Sequence, residues 1–306
     1  MRVDFFASHP HYVDHAAPVW FALPEANRGA FISPHLDRAG IVSTEKPDPS
    51  RLCVFLSYGE SRHLTARKRL AFLAHGAEQM YGNTPPVRKD PRIELILTNP
   101  NAHARSQQMN PKATVLSLGC PKMDAYHGRE FPRHDPPVIA VSHHWHQRNI
   151  PEASSAYPWS ADAIVALSKR FTVLGHKHPA DKRDIQGFYA HHGIEFVPDF
   201  SDILDRADLY ICDNSSTLYE FAATDRPVVC LSPPDYRRRA NHGLRFWGAI
   251  PGVECAVAHT LTACVEEALC DTPARQELRR KAVHAAYGQM DGQASLRAAE
   301  ALLAIA

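Results

Sequence analysis

Apolar runs of four to six residues recur along the chain, separated by polar stretches with helical spacing. One series stands at Val3–Ala7, Leu52–Ser57, Leu70–Ala74, Ile93–Leu97 and Thr114–Leu118. A second follows at Val138–Val141, Phe171–Leu174, Glu195–Val197, Leu209–Cys212 and Val228–Leu231. Most are continuous rather than alternating, which is the pattern of strands buried on both faces of a parallel sheet. Helix-like segments lie between them, at Ser160–Arg170, Asp181–His192 and Ser216–Thr224, and the final stretch DGQASLRAAEALLAIA carries alanine and leucine at helical spacing. The alternation predicts an α/β architecture with right-handed crossovers. Residues 129 to 137, REFPRHDPP, are rich in proline and charge without periodicity, as in an extended linker. Two Rossmann-like, doubly wound parallel-sheet domains are therefore expected, 1–133 and 134–306, facing each other across a cleft. The terminal helix, 286–306, is free to pack back on the first.

Composition narrows the function classes. The 306 residues suffice for a core that needs no disulfide or metal. Lysine plus arginine number 34 against 33 acidic residues, so no global charge draws the chain to nucleic acid. Any contact with an anionic membrane has to come from a local patch. No apolar run reaches the roughly 18 residues of a membrane span, and MRVDFFASHPHY lacks the layout of a signal peptide. The seven cysteines form no CxxC pair and several sit inside apolar runs, as buried thiols in a reducing compartment do. The expected location is cytoplasmic, with at most peripheral contact at the inner face of the membrane. Among the 19 histidines, the cluster Ser142-His143-His144-Trp145-His146 has no HExxH and no acid at helical spacing. It reads as a polar loop after a strand, and no metal is expected.

Ligands of open parallel sheets bind beyond the carboxyl ends of the strands. Three polar knots fall at such positions: His75-Gly76-Ala77-Glu78-Gln79, Gly175-His176-Lys177-His178-Pro179 and Asp213-Asn214-Ser215-Ser216. In the last, the two serines stand where a helix should begin, with Glu220 four residues beyond the second. Free backbone N–H groups and the helix dipole favour an anion there, and small side chains let a pyrophosphate approach. A plain helix cap accounts for the same residues equally well.

Several blocks, taken in order, resemble the CDP-glycerol glycerophosphotransferase (teichoic acid polymerase) family. Phe200-Ser201-Asp202 leads into a strand and then Cys212-Asp213-Asn214-Ser215-Ser216, followed by Tyr219, Phe221 and Asp225-Arg226-Pro227, which is similar to the family's Ser-Asp-Tyr-Ser-Ser block and the helix, Arg-Pro and strand after it. Ala74-His75-Gly76 resembles its His-Gly motif, and Leu118-Gly119-Cys120-Pro121-Lys122-Met123-Asp124 its Gly-x-Pro-Lys/Arg-x-Asp segment. His176-Lys177-His178-Pro179 resembles Arg-x-His-Pro, and Asp291-Gly292-Gln293-Ala294-Ser295 the C-terminal Asp-Gly-x-Ala-Ser element. The resemblance runs from about residue 50 to the end.

It implies the GT-B fold and a nucleotide-activated donor, usually CDP-glycerol, held mainly by the C-terminal domain without cofactor or catalytic metal. A glycerophosphate or related polyol-phosphate group would pass to an acceptor hydroxyl on a glycan, a polyol-phosphate or another compound. By the same resemblance His75 is the general base, and His178 with Lys177 steadies the departing phosphate. Asp213, Ser215 and Ser216 hold the pyrophosphate or glycerol end, Glu220 reaches a hydroxyl, and Ser142 and His143 line the donor site.

Three departures stand out. Ala77-Glu78-Gln79 replaces a Thr-Pro and a lysine, which counts against a polyanionic acceptor. His176 stands where arginine is usual, and Asn214 replaces an aromatic residue. The basic run Arg237-Arg238-Arg239 reads as a solvated loop. Sugar transfer from a nucleotide-sugar is the nearest alternative. An epimerase or hydrolase would need a carboxylate pair at the sugar ring, which the sequence does not clearly provide. A degenerate nucleotide-binding scaffold would have lost the polar knots, which are present.

Overall fold

In a computed structural model of the chain, which describes residues 1–77, 89–146, 154–236 and 248–306, the apolar runs become the strands of two sheets. The first sheet holds β1 (Val3–Phe6), β2 (Arg28–Ile32), β3 (Leu52–Phe55), β4 (Arg69–Leu73), β5 (Ile93–Thr98) and β6 (Thr114–Ser117), in the order β2-β1-β3-β4-β5-β6. The second holds β7 (Val138–Val141), β8 (Thr172–Gly175), β9 (Glu195–Phe196), β10 (Leu209–Cys212), β11 (Val228–Leu231) and β12 (Val253–Cys255), in the order β12-β11-β10-β7-β8-β9. Every pairing is parallel. The helices, in chain order, are α1 (Pro10–Ala22), α2 (Pro100–Met109), α3 (Ala161–Ser168), α4 (Ile185–His191), α5 (Phe200–Arg206), α6 (Thr217–Ala222), α7 (Leu261–Leu269), α8 (Pro273–Tyr287) and α9 (Ala294–Ile305).

The chain divides into two compact units, Met1–His127 with His284–Ala306, and Gly128–Val283. The boundary thus lies at 127/128 rather than 133/134, because the supposed linker is tied to the second unit. The Phe131 ring lies 3.8 Å from the Arg226 guanidinium, and Asp208 accepts from His134 and from the Val138 N–H. The last helix, grouped by sequence with the second unit, is counted in the first. Its Ala298, Ala299 and Leu302 share a core with Val3, Phe5, Val13 and Ala17.

Two of the resemblance blocks explain that docking. Asp124 accepts the N–H groups of Ala294 and Ser295 at 3.2 and 2.6 Å, capping α9 from a residue 170 positions away. Gly119 has φ +93°, and a Cβ there would collide with the Gln289 carbonyl. Gly119-Cys120-Pro121-Lys122-Met123-Asp124 and Asp291–Ser295 are therefore a joint between chain segments.

β2, β12 and α1 do not stand out in the sequence. β2 opens with Arg28-Gly29, where the glycine is required because a Cβ would strike the Asp4 carboxylate and the Val3 backbone. β12 has three residues, and α1 begins at a proline among histidines and carries Pro18 inside it.

Both strand orders contain a point where the chain reverses direction along the sheet. It lies between β1 and β3 in the first unit and between β7 and β10 in the second. Such points open a crevice at the carboxyl ends of the strands.

Candidate active site

At the switch point of the second unit, three strand exits are laced together. Asp213, directly after β10, is wholly buried, and its two oxygens accept the N–H groups of His144 and Ala156, each at 2.8 Å. Burial drives its carboxyl up to about 6, against the pull of those two bonds. The carboxylate is thus occupied by backbone and holds the 144–156 loop ends over the β7/β10 crevice.

Ser142 and His143 leave β7 and also turn inward. The Ser142 hydroxyl meets Nδ1 of His176 at 2.8 Å, and Nε2 of His143 meets the Ser160 hydroxyl at 3.0 Å. His143 has no exposed surface, and desolvation lowers it to about 3, so it is neutral. These residues form a floor beneath the loops.

His178, after β8, stands higher. Its backbone N–H donates to the His143 carbonyl at 3.0 Å, and its ring packs edge-on against His144, centroids 5.1 Å apart. Its Nδ1 accepts the Ala180 N–H at 3.1 Å, which places the proton of the neutral ring on Nε2. The Lys177 ammonium turns aside and donates to the Asp181 and Arg183 carbonyls at 3.1 and 3.3 Å.

The serines divide. Ser215 is buried and accepts from the Thr217 hydroxyl at 2.9 Å, whereas Ser216 is half-buried, and its carbonyl begins α6. Helix α6 is six residues long, so its dipole contributes less than a full-length helix would. Glu220 is buried within it. The structure thus gathers Ser142, His143, His176, His178 and Asp213 at one switch point, and turns Lys177 away from its expected role.

In the first unit, His75 follows β4 and is half-buried. Its Nδ1 lies 2.6 Å from the Leu56 carbonyl, which can only accept, so the proton of the neutral ring is on Nδ1 and Nε2 is the basic nitrogen. Gly76 has φ +71°, and its carbonyl is held by Asn99 at 2.7 Å. From α1, Tyr12 abuts the ring at 4.5 Å, with His11 at 6.0 Å and His15 at 6.5 Å. Burial lowers His15 well below its usual value and raises the Tyr12 phenol.

The sequence reading missed this wall of α1, and Glu60 after β3 as well. The strand-exit rule already in use would have flagged Ser8-His9-Pro10-His11-Tyr12 after β1. Glu78, Gln79 and Arg237-Arg238-Arg239 lie outside the described residues. Among the described residues, no group of three or more His, Cys, Asp or Glu side chains is arranged to hold a metal ion, and no helix is long and apolar enough to cross a membrane.

Two six-stranded parallel sheets with flanking helices, each with polar strand exits at its switch point, define a two-unit α/β fold of the GT-B class. Residues 160–304, just under half of the chain, match the family described as CDP-Glycerol:Poly(glycerophosphate) glycerophosphotransferase. Over that segment the chain is similar to a family of transferases.

Solved structures extend the likeness over the whole length. The wall teichoic acid polymerase TagF, in a variant soaked with CDPG, aligns with TM-score 0.67 at 13% identity, over 99% of this chain and 88% of that one. A UDP-N-acetylglucosamine 2-epimerase aligns with TM-score 0.62 at 13% identity, over 99% and 95%. MnaA of S. aureus, solved with UDP, gives 0.58 at 12%, over 97% and 94%. At such identities the likeness is one of fold. No curated protein matches the chain.

Proposed function

We propose that the chain moves a glycerophosphate or related polyol-phosphate group from a CDP-activated donor to an acceptor hydroxyl, without a catalytic metal. The observation that carries this reading is the meeting of the 142–144, 176–178 and 213–216 segments at one switch point, the last two inside the stretch that matches the family. The acceptor oxygen attacks the phosphorus that bears the polyol. A new P–O bond forms, the bridging P–O bond breaks, and CMP leaves with the electron pair.

Nε2 of His75 takes the acceptor proton, since an imidazole titrates close to working pH. Nε2–H of His178 and the Ser216 hydroxyl meet the phosphate oxygens on which charge collects. Asp213, Ser142 and His143 hold the strand exits that carry those groups.

Thermal-shift measurements against CDP-glycerol, CDP-ribitol, UDP-sugars and GDP-sugars test the donor. A ligand at a hundred times its Kd stabilises by about 2.7 kcal/mol, so the CDP compounds should raise Tm and the others should not. Stabilisation by UDP-sugars alone would move the reading to nucleotide-sugar chemistry. Silence from every compound would leave a scaffold. Release of CMP that persists in EDTA checks the independence from metal.

A further inference from the structure

The geometry points to Glu60 as the residue that fixes the proton of His75, acting through the single peptide bond between Leu56 and Ser57. The inference rests on the reading of His75 as the base. The Glu60 side chain is 3% exposed, and every partner it has here is a donor. Its Oε1 accepts the Ser8 N–H at 2.7 Å, and its Oε2 accepts the N–H groups of Leu56 and Ser57 at 2.9 and 3.0 Å. Three donors and no acceptor is the environment of an ionised carboxylate. Ser8 follows β1 and Leu56 follows β3, so the carboxylate spans the switch point.

The Leu56–Ser57 peptide is the link. A trans peptide is planar, with its N–H and C=O directed oppositely. Here the N–H donates to Glu60 and the C=O accepts from Nδ1 of His75 at 2.6 Å. An anion on the N–H side polarises the amide and draws negative charge onto the carbonyl oxygen. Bonds in such a chain strengthen one another. The Leu56 oxygen therefore holds the proton on Nδ1, keeps Nε2 basic, and stabilises the imidazolium once Nε2 has taken a proton. Tyr12, His11 and His15 wall the ring from α1, and none of them supplies a carboxylate. Glu60 is a positioning residue, because it acts through the peptide.

Long-range ¹H–¹⁵N spectra of the ¹⁵N-histidine-labelled full chain, with His75 assigned by comparison with His75→Gln, read the tautomer directly. The neutral wild-type ring should carry its proton on Nδ1, and folded Glu60→Gln should show a mixture of tautomers. A wild-type ring protonated on Nε2 overturns the inference whether or not the variant folds. An unchanged tautomer in Glu60→Gln overturns it as well. In turnover, Glu60→Gln should lower kcat by roughly 10- to 100-fold, the range seen when an outer partner of a ligating histidine is removed, with KM for the donor within about twofold. If His75→Ala turns over normally, the base assignment fails, while the tautomer measurement still decides the role of Glu60.

Discussion

The two switch points use one device for different ends. In each unit a buried carboxylate accepts backbone N–H groups from two chain segments, Glu60 joining the exits of β1 and β3, and Asp213 joining His144 after β7 to Ala156. Around Glu60 one imidazole is left half-buried with its proton assigned. Around Asp213 the nearby imidazoles His143 and His176 are sunk into the floor, and the outward group is His178 with a donor N–H. The difference fits opposite tasks. A base needs an unprotonated nitrogen, and a phosphate needs donors.

The sharpest way to break this comparison is to remove each outward histidine in turn. His75→Ala should lower turnover by about 10²- to 10⁴-fold, the usual range for a positioned general base, while the CDP-glycerol thermal shift persists. His178→Ala should diminish the thermal shift itself. If His75→Ala abolished the shift and His178→Ala preserved it, the division of roles would be reversed.

A smaller effect separates the carboxylate of the second unit from its histidines. Asp213→Asn leaves two buried N–H groups with one acceptor, and should cost about 1–3 kcal/mol of stability at pH 7.5. The pH dependence carries a sign. The folded Asp213 carboxyl stands near 6, above its ordinary 3.8, so its contribution is fully present below 3.8 and is lost as pH rises through about 6. His143, near 3, and His15, also lowered, run the other way. Their contribution is present above 6.5 and is lost as pH falls, by up to about 1.4 kcal/mol per unit for each group. The wild type should therefore weaken on acidification from pH 7 to 5. The variant, lacking the opposing carboxyl, should weaken by about 1 kcal/mol more. Urea midpoints at the two pH values check this, and a gap that narrows on acidification would contradict the assigned burial.

Much of the frame can be read directly in the residues, because strands covered on both faces have to be apolar along their length: Leu209–Cys212 and Val228–Leu231 have the bounds expected of them. Edge strands escape, since β12 needs only three residues and β2 begins at an arginine and a glycine. For the site, the polar exits after β4, β8 and β10 were visible, but the direction of their side chains was not. Asp213 and Lys177 look like ligand groups in sequence, and both are consumed by backbone. Glu60 looks like one more surface acid until folding brings Ser8 beside it. Sequence distance hid the joint at Asp124 for the same reason: its partners, Ala294 and Ser295, stand near the other end of the chain.

The smallest effect concerns Lys177. Its ammonium donates to the Asp181 and Arg183 carbonyls, in a loop also fastened by the Arg183–Asp181 ion pair. Lys177→Met should cost about 1–3 kcal/mol of stability, since hydrogen bonds from a charged group are lost, while donor affinity changes by less than about threefold. The expectation follows from geometry, because a side chain spent on two carbonyls has little left for a phosphate. Isothermal titration with CDP-glycerol decides between the positions. A tenfold loss of affinity, equal to about 1.4 kcal/mol, would mean that the ammonium leaves its carbonyls when the donor binds. The cation would then join His178 as a phosphate ligand, and the second unit would meet its donor with charge as well as with neutral N–H groups.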